Sequence, residues 1–303
     1  MKYEGVVHRP PPEFGSLIIQ ATIGCPYNKC AFCGTFKDTK FRIRSVEEIC
    51  EDIEKIKGPG TSSLFLADGN SIVMKTEDLV EVVNFANKAL PNFESASLNA
   101  SAKYILKKGE DELKMLREAG LDKIYMGLET GDEELLKEMS KGVTATEAIE
   151  AAKMVINAGM ELSQTIIIGL GGTSGSLRHV HATAEVLNEI DPHQIRLHTL
   201  TLLPGTPLYE EKLEGGFEEL TPEESIIEIA ELINALDIKS EIISHRSNHL
   251  TFQGMLPEDK TQLLELIDFA LSPEGRGRWA SEQAQYNIAR FLFEFRRMLG
   301  NGR

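Results

Sequence analysis

Disulfide-forming cysteine, positive charge and long apolar runs are all scarce in this chain of 303 residues. Of its four cysteines, three crowd into residues 25–33, so no bridge framework spread through the fold is expected, and a reducing, cytoplasmic setting fits better. No stretch approaches the ~20 apolar residues that cross a bilayer, and residues 1–12 carry no apolar run of the signal-peptide kind. Lys and Arg number 32 against 47 Asp and Glu, a formal net charge of −15. Nucleic-acid affinity rests largely on cations that neutralise phosphates, so a nucleic-acid partner is disfavoured. The arginines gathered towards the C-terminus (Arg276, Arg278, Arg290, Arg296, Arg297, Arg303) are interspersed with acids and read as a solvated helix face. Walker loop, HExxH zinc helix, Ser-His-Asp arrangement, internal repeat and low-complexity tract are all missing.

What is present is ordinary core material, 42% hydrophobic and 26% charged residues, enough for one large α/β domain or one domain with an appendage. Apolar, β-branched runs at 17–23, 63–67, 95–99, 123–128, 162–168 and 194–203 read as strands. Between them lie amphipathic stretches at 46–57, 110–119, 132–139, 146–158, 176–190 and 222–236, plus one for which Thr76 is the expected N-cap. Gly58-Pro59-Gly60, Gly159 and Pro204-Gly205-Thr206-Pro207 act as stops. Six strand–helix units in succession require a mostly parallel sheet. The expected fold is α/β, a partial (β/α)6 TIM-like barrel over residues 1–240, with an open doubly wound sheet as the alternative. A short strand at 241–244 and helices at 258–271 and 280–299 suggest a mostly helical C-terminal extension, 241–303, packing on the barrel. Either architecture puts its ligand face at the strand C-termini. That gathers residues 25–33, 68–70, Asn99, Glu129 and 169–172 on one rim.

The cysteine loop reads Ile23-Gly24-Cys25-Pro26-Tyr27-Asn28-Lys29-Cys30-Ala31-Phe32-Cys33-Gly34. Three thiolates on a short loop after a strand can converge on one soft metal centre. A structural zinc site ordinarily takes four protein ligands. Cys50 shares a helical apolar face with Val46, Ile49 and Ile53, so it is not the fourth. Three cysteines leave one iron of a cubane cluster open, whereas a non-catalytic electron carrier would close its cluster with four. Two other readings stand beside this one: clustered buried thiols, or zinc completed by His8 or His245.

With this loop the chain resembles the radical S-adenosylmethionine (SAM) superfamily, Elp3/MiaB/HemN-like branch, over about residues 17–209. The resemblance implies that Cys25, Cys30 and Cys33 bind a [4Fe–4S] cluster and that SAM chelates its fourth iron. Reductive cleavage of SAM then gives an oxygen-sensitive, 5′-deoxyadenosyl-radical chemistry. The usual spacing is Cys-x3-Cys-x2-Cys, and four residues separate Cys25 from Cys30 here. Other positions carry implied SAM contacts. Phe32 would lie near the adenine, Asp68-Gly69-Asn70 would receive the amino group, and Asn99 and Glu129 (in Gly127-Leu128-Glu129-Thr130) would supply polar contacts. Lys141, in a stretch like "NRGHT", would approach the SAM carboxylate. Residues 166–173 resemble the "GLPGET" strand and loop, with Gly169 near the ligand and one of Gln164 and Thr165 pointing inward. Residues 203–209 match a "PGTPLYE" ending.

Arg196 and His198 share one strand face and are candidates for an anionic substrate; His245, Arg246, Asn248 and His249 are candidates for covering the barrel mouth. No catalytic residue is assigned. The expected activity is a radical SAM enzyme acting on a small molecule, with an electron donor such as flavodoxin or ferredoxin. The alternatives are tRNA or protein modification, and non-catalytic metal binding.

Overall fold

The computed structural model describes residues 3–58, 60–244 and 250–276. Pro59, the candidate segment from His245 to His249 and the expected helix at 280–299 lie outside the described residues. In chain order the elements are β1 (Leu17–Gln20), β2 (Thr22–Ile23), β3 (Arg42–Ile43), α1 (Val46–Ile56), β4 (Ser63–Ala67), α2 (Thr76–Ala89) and β5 (Ser95–Ala100). Then come α3 (Ala102–Lys108), α4 (Glu110–Ala119), β6 (Leu121–Glu129), α5 (Glu133–Glu138), α6 (Ala145–Asn157), β7 (Glu161–Ile168) and α7 (Gly172–Ile190). The remainder are β8 (Gln194–Thr199), α8 (Pro207–Leu213), α9 (Pro222–Ala235), β9 (Glu241–Ser244), β10 (Phe252–Met255) and α10 (Lys260–Leu271).

The strand order of the main sheet is β1-β4-β5-β6-β7-β8-β9-β10, so each new strand joins the same advancing edge. A doubly wound sheet needs a reversal of that order, and there is none. β1 and β10 stand at opposite ends of the row, which makes the sheet an open, partial (β/α) barrel. β1, β4, β5, β6, β7, β8 and β9 run parallel, and β10 returns antiparallel to β9. β9 pairs with β8 in the register Gln194↔Glu241 and β10 with β9, so the sheet runs two strands beyond residue 240, where an extension was expected to begin.

Alternation along the strands separates two environments. On β7, Leu162, Ile166 and Ile168 point outward into the large core shared with the helices. Inside the barrel a smaller cluster joins Phe65, Ala67 and Tyr125 to Val7 and Ile18. Glu13, from a 3-10 turn at Pro11–Gly15, enters from the N-terminal end of β1. Its carboxylate accepts hydrogen bonds from Ser97 at 2.8 Å and the Tyr125 hydroxyl at 2.6 Å.

Several boundaries differ from expectation for local reasons. Residues 17–23 are not one strand: β1 stops at Gln20, and β2 turns away to pair antiparallel with β3. Thr76 is the first residue of α2 rather than its cap, and its hydroxyl accepts from Lys108 at 2.8 Å instead of closing the helix. β8 ends at Thr199, short of 203, and α7 begins at Gly172, a turn before 176. The short α3 and α8 went unforeseen, being too brief to show a clear 3.6-residue period. Reciprocal capping boxes, Ser45 with Glu48 and Thr144 with Glu147, fix the starts of α1 and α6.

Candidate functional site

The cysteine loop is held by side chains and backbone from distant parts of the sequence. At its start the Gly24 amide donates to the Asp68 carboxylate at 3.1 Å, which also accepts from Gln20 at 3.2 Å. Asn28 takes a left-handed conformation (φ 45°), and its side-chain amide donates to the Phe36 carbonyl at 2.7 Å. Asn tolerates this backbone better than most residues. The four-residue interval between Cys25 and Cys30 is closed in this way. Further on, the Ala31 amide donates to the Met139 carbonyl at 2.9 Å, and the Leu208 amide to the Ala31 carbonyl at 3.1 Å. The Tyr27 hydroxyl donates to the Ser140 carbonyl at 2.8 Å. Gly34 lies so close to Leu203 and Thr206 that a Cβ there would sit 3.0–3.2 Å from them. The Pro-Gly-Thr-Pro segment is thus a buttress under the cysteines.

Below the loop a cavity of about 240 Å³ opens along the strand C-termini. Cys25, Cys30, Cys33, Phe32, Gly69, Asn70, Asn99, Glu129, Lys141 and Thr165 all line it, so residues from four strand ends converge with Thr165 from within β7 and Lys141 from the loop between α5 and α6. Tyr27, Phe36, Tyr125 and Val143 line it as well and were not foreseen; only their placement in three dimensions brings them there. Arg196 reaches the same cavity from β8, whereas His198 lines a neighbouring one of about 280 Å³.

Three expected SAM contacts fall elsewhere. Asp68 is buried with its carboxylate turned back on Gly24 and Gln20, and burial raises its pKa to about 6 against those two hydrogen bonds. Its other oxygen, Oδ1, has no hydrogen-bond partner. Gln164 has the outward parity of Leu162 and Ile166, pairs in register with the core residue Ile195, and faces the helix layer. Its neighbour Thr165 is the one that points inward. Gly169 lines a separate cavity, and its amide donates to Glu228 at 2.6 Å.

Within the cavity the polar contacts are specific. Asn70 bonds reciprocally to Ser101, at 2.8 Å through its amide and 3.0 Å through its carbonyl oxygen. Asn99 donates to the Asp68 carbonyl at 3.0 Å. Lys141 Nζ donates to Glu129 Oε1 at 2.9 Å, with the two side chains only 11% and 13% exposed. Lys141 also lies 6.0 Å from the Phe32 ring centroid. Burial works against its charge, but Glu129 and the sulfur of Cys30 outweigh it and raise its pKa. Glu129 holds a left-handed backbone (φ 69°), and its carboxylate folds over Gly127, where any Cβ would overlap it.

The donor set suits a soft metal cluster. None of the cysteines is in a disulfide, and the three on the loop face one volume. Burial raises the pKa of Cys30 to about 11, with Lys141 opposing, so its thiol keeps its proton until a metal displaces it. Among the described residues no three His, Cys, Asp or Glu side chains are grouped as a single metal ion would need. A cubane instead spreads its ligands over separate irons. Cys50, on α1, does not line the cavity. His8 packs edge-on against Phe36, with ring centroids 6.2 Å apart.

A family model described as the radical SAM superfamily matches residues 19–184, more than half of the chain. The chain belongs to the radical SAM superfamily. It is accordingly a radical SAM enzyme, of a superfamily whose cofactors are a [4Fe–4S] cluster and SAM. It is 26% identical over 191 residues to the anaerobic magnesium-protoporphyrin IX monomethyl ester cyclase of Cereibacter sphaeroides, covering 62% of this chain and 30% of the cyclase. The chain spans half the length, or less, of most curated relatives it matches. Methylornithine synthase (PylB) superposes with a TM-score of 0.54 at 18% identity, over 89% of this chain and 85% of that one. The radical SAM methyltransferase TsrM of Kitasatospora setae, solved with cobalamin and a [4Fe–4S] cluster, gives 0.55 at 20% identity, over 66% and 40%. These likenesses carry the fold. Among the described residues no helix is long and apolar enough to cross a membrane.

Proposed function

We propose that Cys25, Cys30 and Cys33 hold the cluster, and that Phe32, Gly69, Asn70, Asn99, Glu129, Lys141 and Thr165 surround SAM, in an enzyme that acts on a small molecule. The observation that carries the reading is that three unpaired thiols share one cavity with the buried Glu129–Lys141 pair. When bound, the cluster supplies the electron that cleaves SAM to methionine and a 5′-deoxyadenosyl radical.

The chain's own residues do the rest. The loop bonds at Ala31, Asn28 and Tyr27 fix the spacing of the sulfurs before any metal arrives. Glu129 offers a carboxylate to a cationic sulfonium ligand, and Lys141 both offsets that charge and offers an ammonium to a ligand carboxylate. Phe32 and Val143 give the cavity apolar surface against which a flat base can pack. Gly69 allows close approach: a Cβ there would come within 2.8 Å of Phe36 and 2.9 Å of the Cys25 Cβ. Asp68 acts behind this surface by holding the Gly24 amide, while Asn99, at the cavity wall, also holds the Asp68 carbonyl.

A small-molecule substrate is supported by a recessed cavity in an acidic chain of net charge −15. The name of the matched cyclase specifies a substrate of that class. Flavodoxin or ferredoxin in the cytoplasm would supply the electron. The test is anaerobic reconstitution followed by an assay for 5′-deoxyadenosine with dithionite. Wild type should release it and Cys30→Ala should not; a fully loaded wild type that leaves SAM intact would overturn the reading.

A further inference from the structure

Arg196 is a cation buried in the cavity wall, and among the described residues no carboxylate forms an ion pair with it. The residue is 6% exposed. Its Nε donates to Ser163 at 3.1 Å and its Nη2 to Thr165 at 2.5 Å, both neutral hydroxyls. The guanidinium carbon lies 4.8 Å from the centroid of the Tyr125 ring. Among the described residues no carboxylate is in ion-pair contact with it, and no bond to Nη1 is formed. Of the two acids whose charge acts on it, Glu129 is bonded to Lys141, and Glu13 accepts from Ser97 and Tyr125. Lys141, by contrast, has Glu129.

A buried, unpaired charge costs stability. The cost shows in the Arg196 pKa, which burial lowers to about 10 although Tyr125, Glu129 and Glu13 pull it back. Its planar fork matches carboxylate and phosphate groups. Position sharpens the point. The cysteine loop follows β1, and Gly69 and Asn70 follow β4, at one end of the strand row; Arg196 comes from β8, four strands further on from β4. In register it is level with Thr165, so it faces the cavity from below the rim.

We propose that Arg196 binds an anionic group of the substrate, a carboxylate or a phosphate, and so anchors the substrate across the cavity from the cysteine loop. This rests on the radical SAM reading for the meaning of "substrate" but not for the anion site itself. Lys141, next to Phe32 and the cysteines, is the cation placed for the carboxylate of SAM; Arg196 is left for the second ligand.

The test uses the reconstituted holoenzyme under anaerobic conditions, with inorganic phosphate and acetate as probes and chloride at matched ionic strength as control. At least one probe should raise the melting temperature of wild type beyond chloride. The rise should be lost in Arg196→Gln and partly kept in Arg196→Lys. Whichever anion acts identifies the group as phosphate or carboxylate. Without anions Arg196→Gln should melt at or above wild type, and its SAM dissociation constant should stay within about twofold. Four results would each overturn the proposal: no response to either anion in wild type; an undiminished response in Arg196→Gln; a melting temperature of that variant well below wild type, marking the guanidinium as structural; or a loss of SAM affinity of about tenfold or more, assigning Arg196 to the cofactor. Absence of 5′-deoxyadenosine from wild type would instead count against the radical SAM reading alone.

Discussion

Among the places where this fold brings a carboxylate close to a basic nitrogen away from open solvent, two behave differently. Glu129 and Lys141 meet at 2.9 Å, line the cysteine cavity and remain 13% and 11% exposed. Glu228 of α9 and His179 of α7 lie 3.7 Å apart at 0% and 1% exposure, too far for a hydrogen bond. They touch no part of that cavity. Burial lowers the His179 pKa to about 4 and raises that of Glu228 to about 7, so each is pushed towards its neutral form. Thr130 satisfies His179 at 2.8 Å, while Ser176 and the Gly169 amide satisfy Glu228. Shifted acids and bases mark functional sites only probabilistically. Here a cavity shared with metal-binding residue types separates the site from the structural tie between α7, α9 and the end of β7.

The largest expected contrast is in SAM binding. Glu129→Gln should weaken SAM affinity of the reconstituted protein by about 10- to 100-fold, the loss of one charge-assisted contact. Glu228→Gln should leave it within about twofold. Equilibrium binding of SAM measures both, and similar losses would erase the distinction.

Stability against pH should show the reverse. Glu228, with its folded pKa raised, holds a proton in the native state that the unfolded chain has lost. Its contribution is therefore present at low pH and fades as pH rises from about 4.5 to about 7. His179, with its folded pKa lowered, acts oppositely: its contribution is present above about 6.5 and is lost as pH falls towards about 4. The two slopes oppose each other between about 4.5 and 6.5 in wild type. Glu228→Gln should unmask the His179 slope, a relative gain of up to about 3 kcal/mol in stability on going from pH 4 to 7. Denaturant melts across that range, variant minus wild type, check this; an unchanged difference would contradict it.

Glycines offer a finer contrast. Gly127→Ala puts a methyl group into the Glu129 carboxylate and should cost about tenfold in SAM affinity. Gly175→Ala, on α7 with nothing within 4 Å, should instead stabilise by about 0.5–1 kcal/mol and leave SAM binding alone. The smallest effect of interest is at the loop. Asn28→Ala loses the bond to Phe36 and strains a left-handed residue, at a cost of about 1–2 kcal/mol in thermal or denaturant melts.

The rim was legible in the sequence wherever a residue type and its place at a strand end coincided. Cys25, Cys30, Cys33, Gly69, Asn99 and Glu129 are of this kind, and all line the cavity; Lys141, between α5 and α6, was legible only through its motif. The strand–helix alternation likewise set the parallel sheet, because crossovers in one direction leave little choice. What escaped was set by parity and by distance along the chain. Gln164 and Thr165 are adjacent, and only the register of β7 decides which faces inward. Gly169 sits at the right strand end, but its loop opens onto another cavity. The inward role of Glu13 depends on Ser97 and Tyr125, 84 and 112 residues away, which no local pattern announces. β9 looked detached because four residues carry too little period to declare a sheet partner.

The most direct measurement is iron and sulfide analysis of anaerobically reconstituted protein, joined to electron paramagnetic resonance of the reduced form with and without SAM. The expected result is about four irons and four sulfides per chain, abolished by Cys30→Ala, with a signal that changes when SAM is added. Zinc without sulfide, or a cluster whose signal ignores SAM, would contradict the assignment of Cys25, Cys30 and Cys33 to a cluster with an open coordination site.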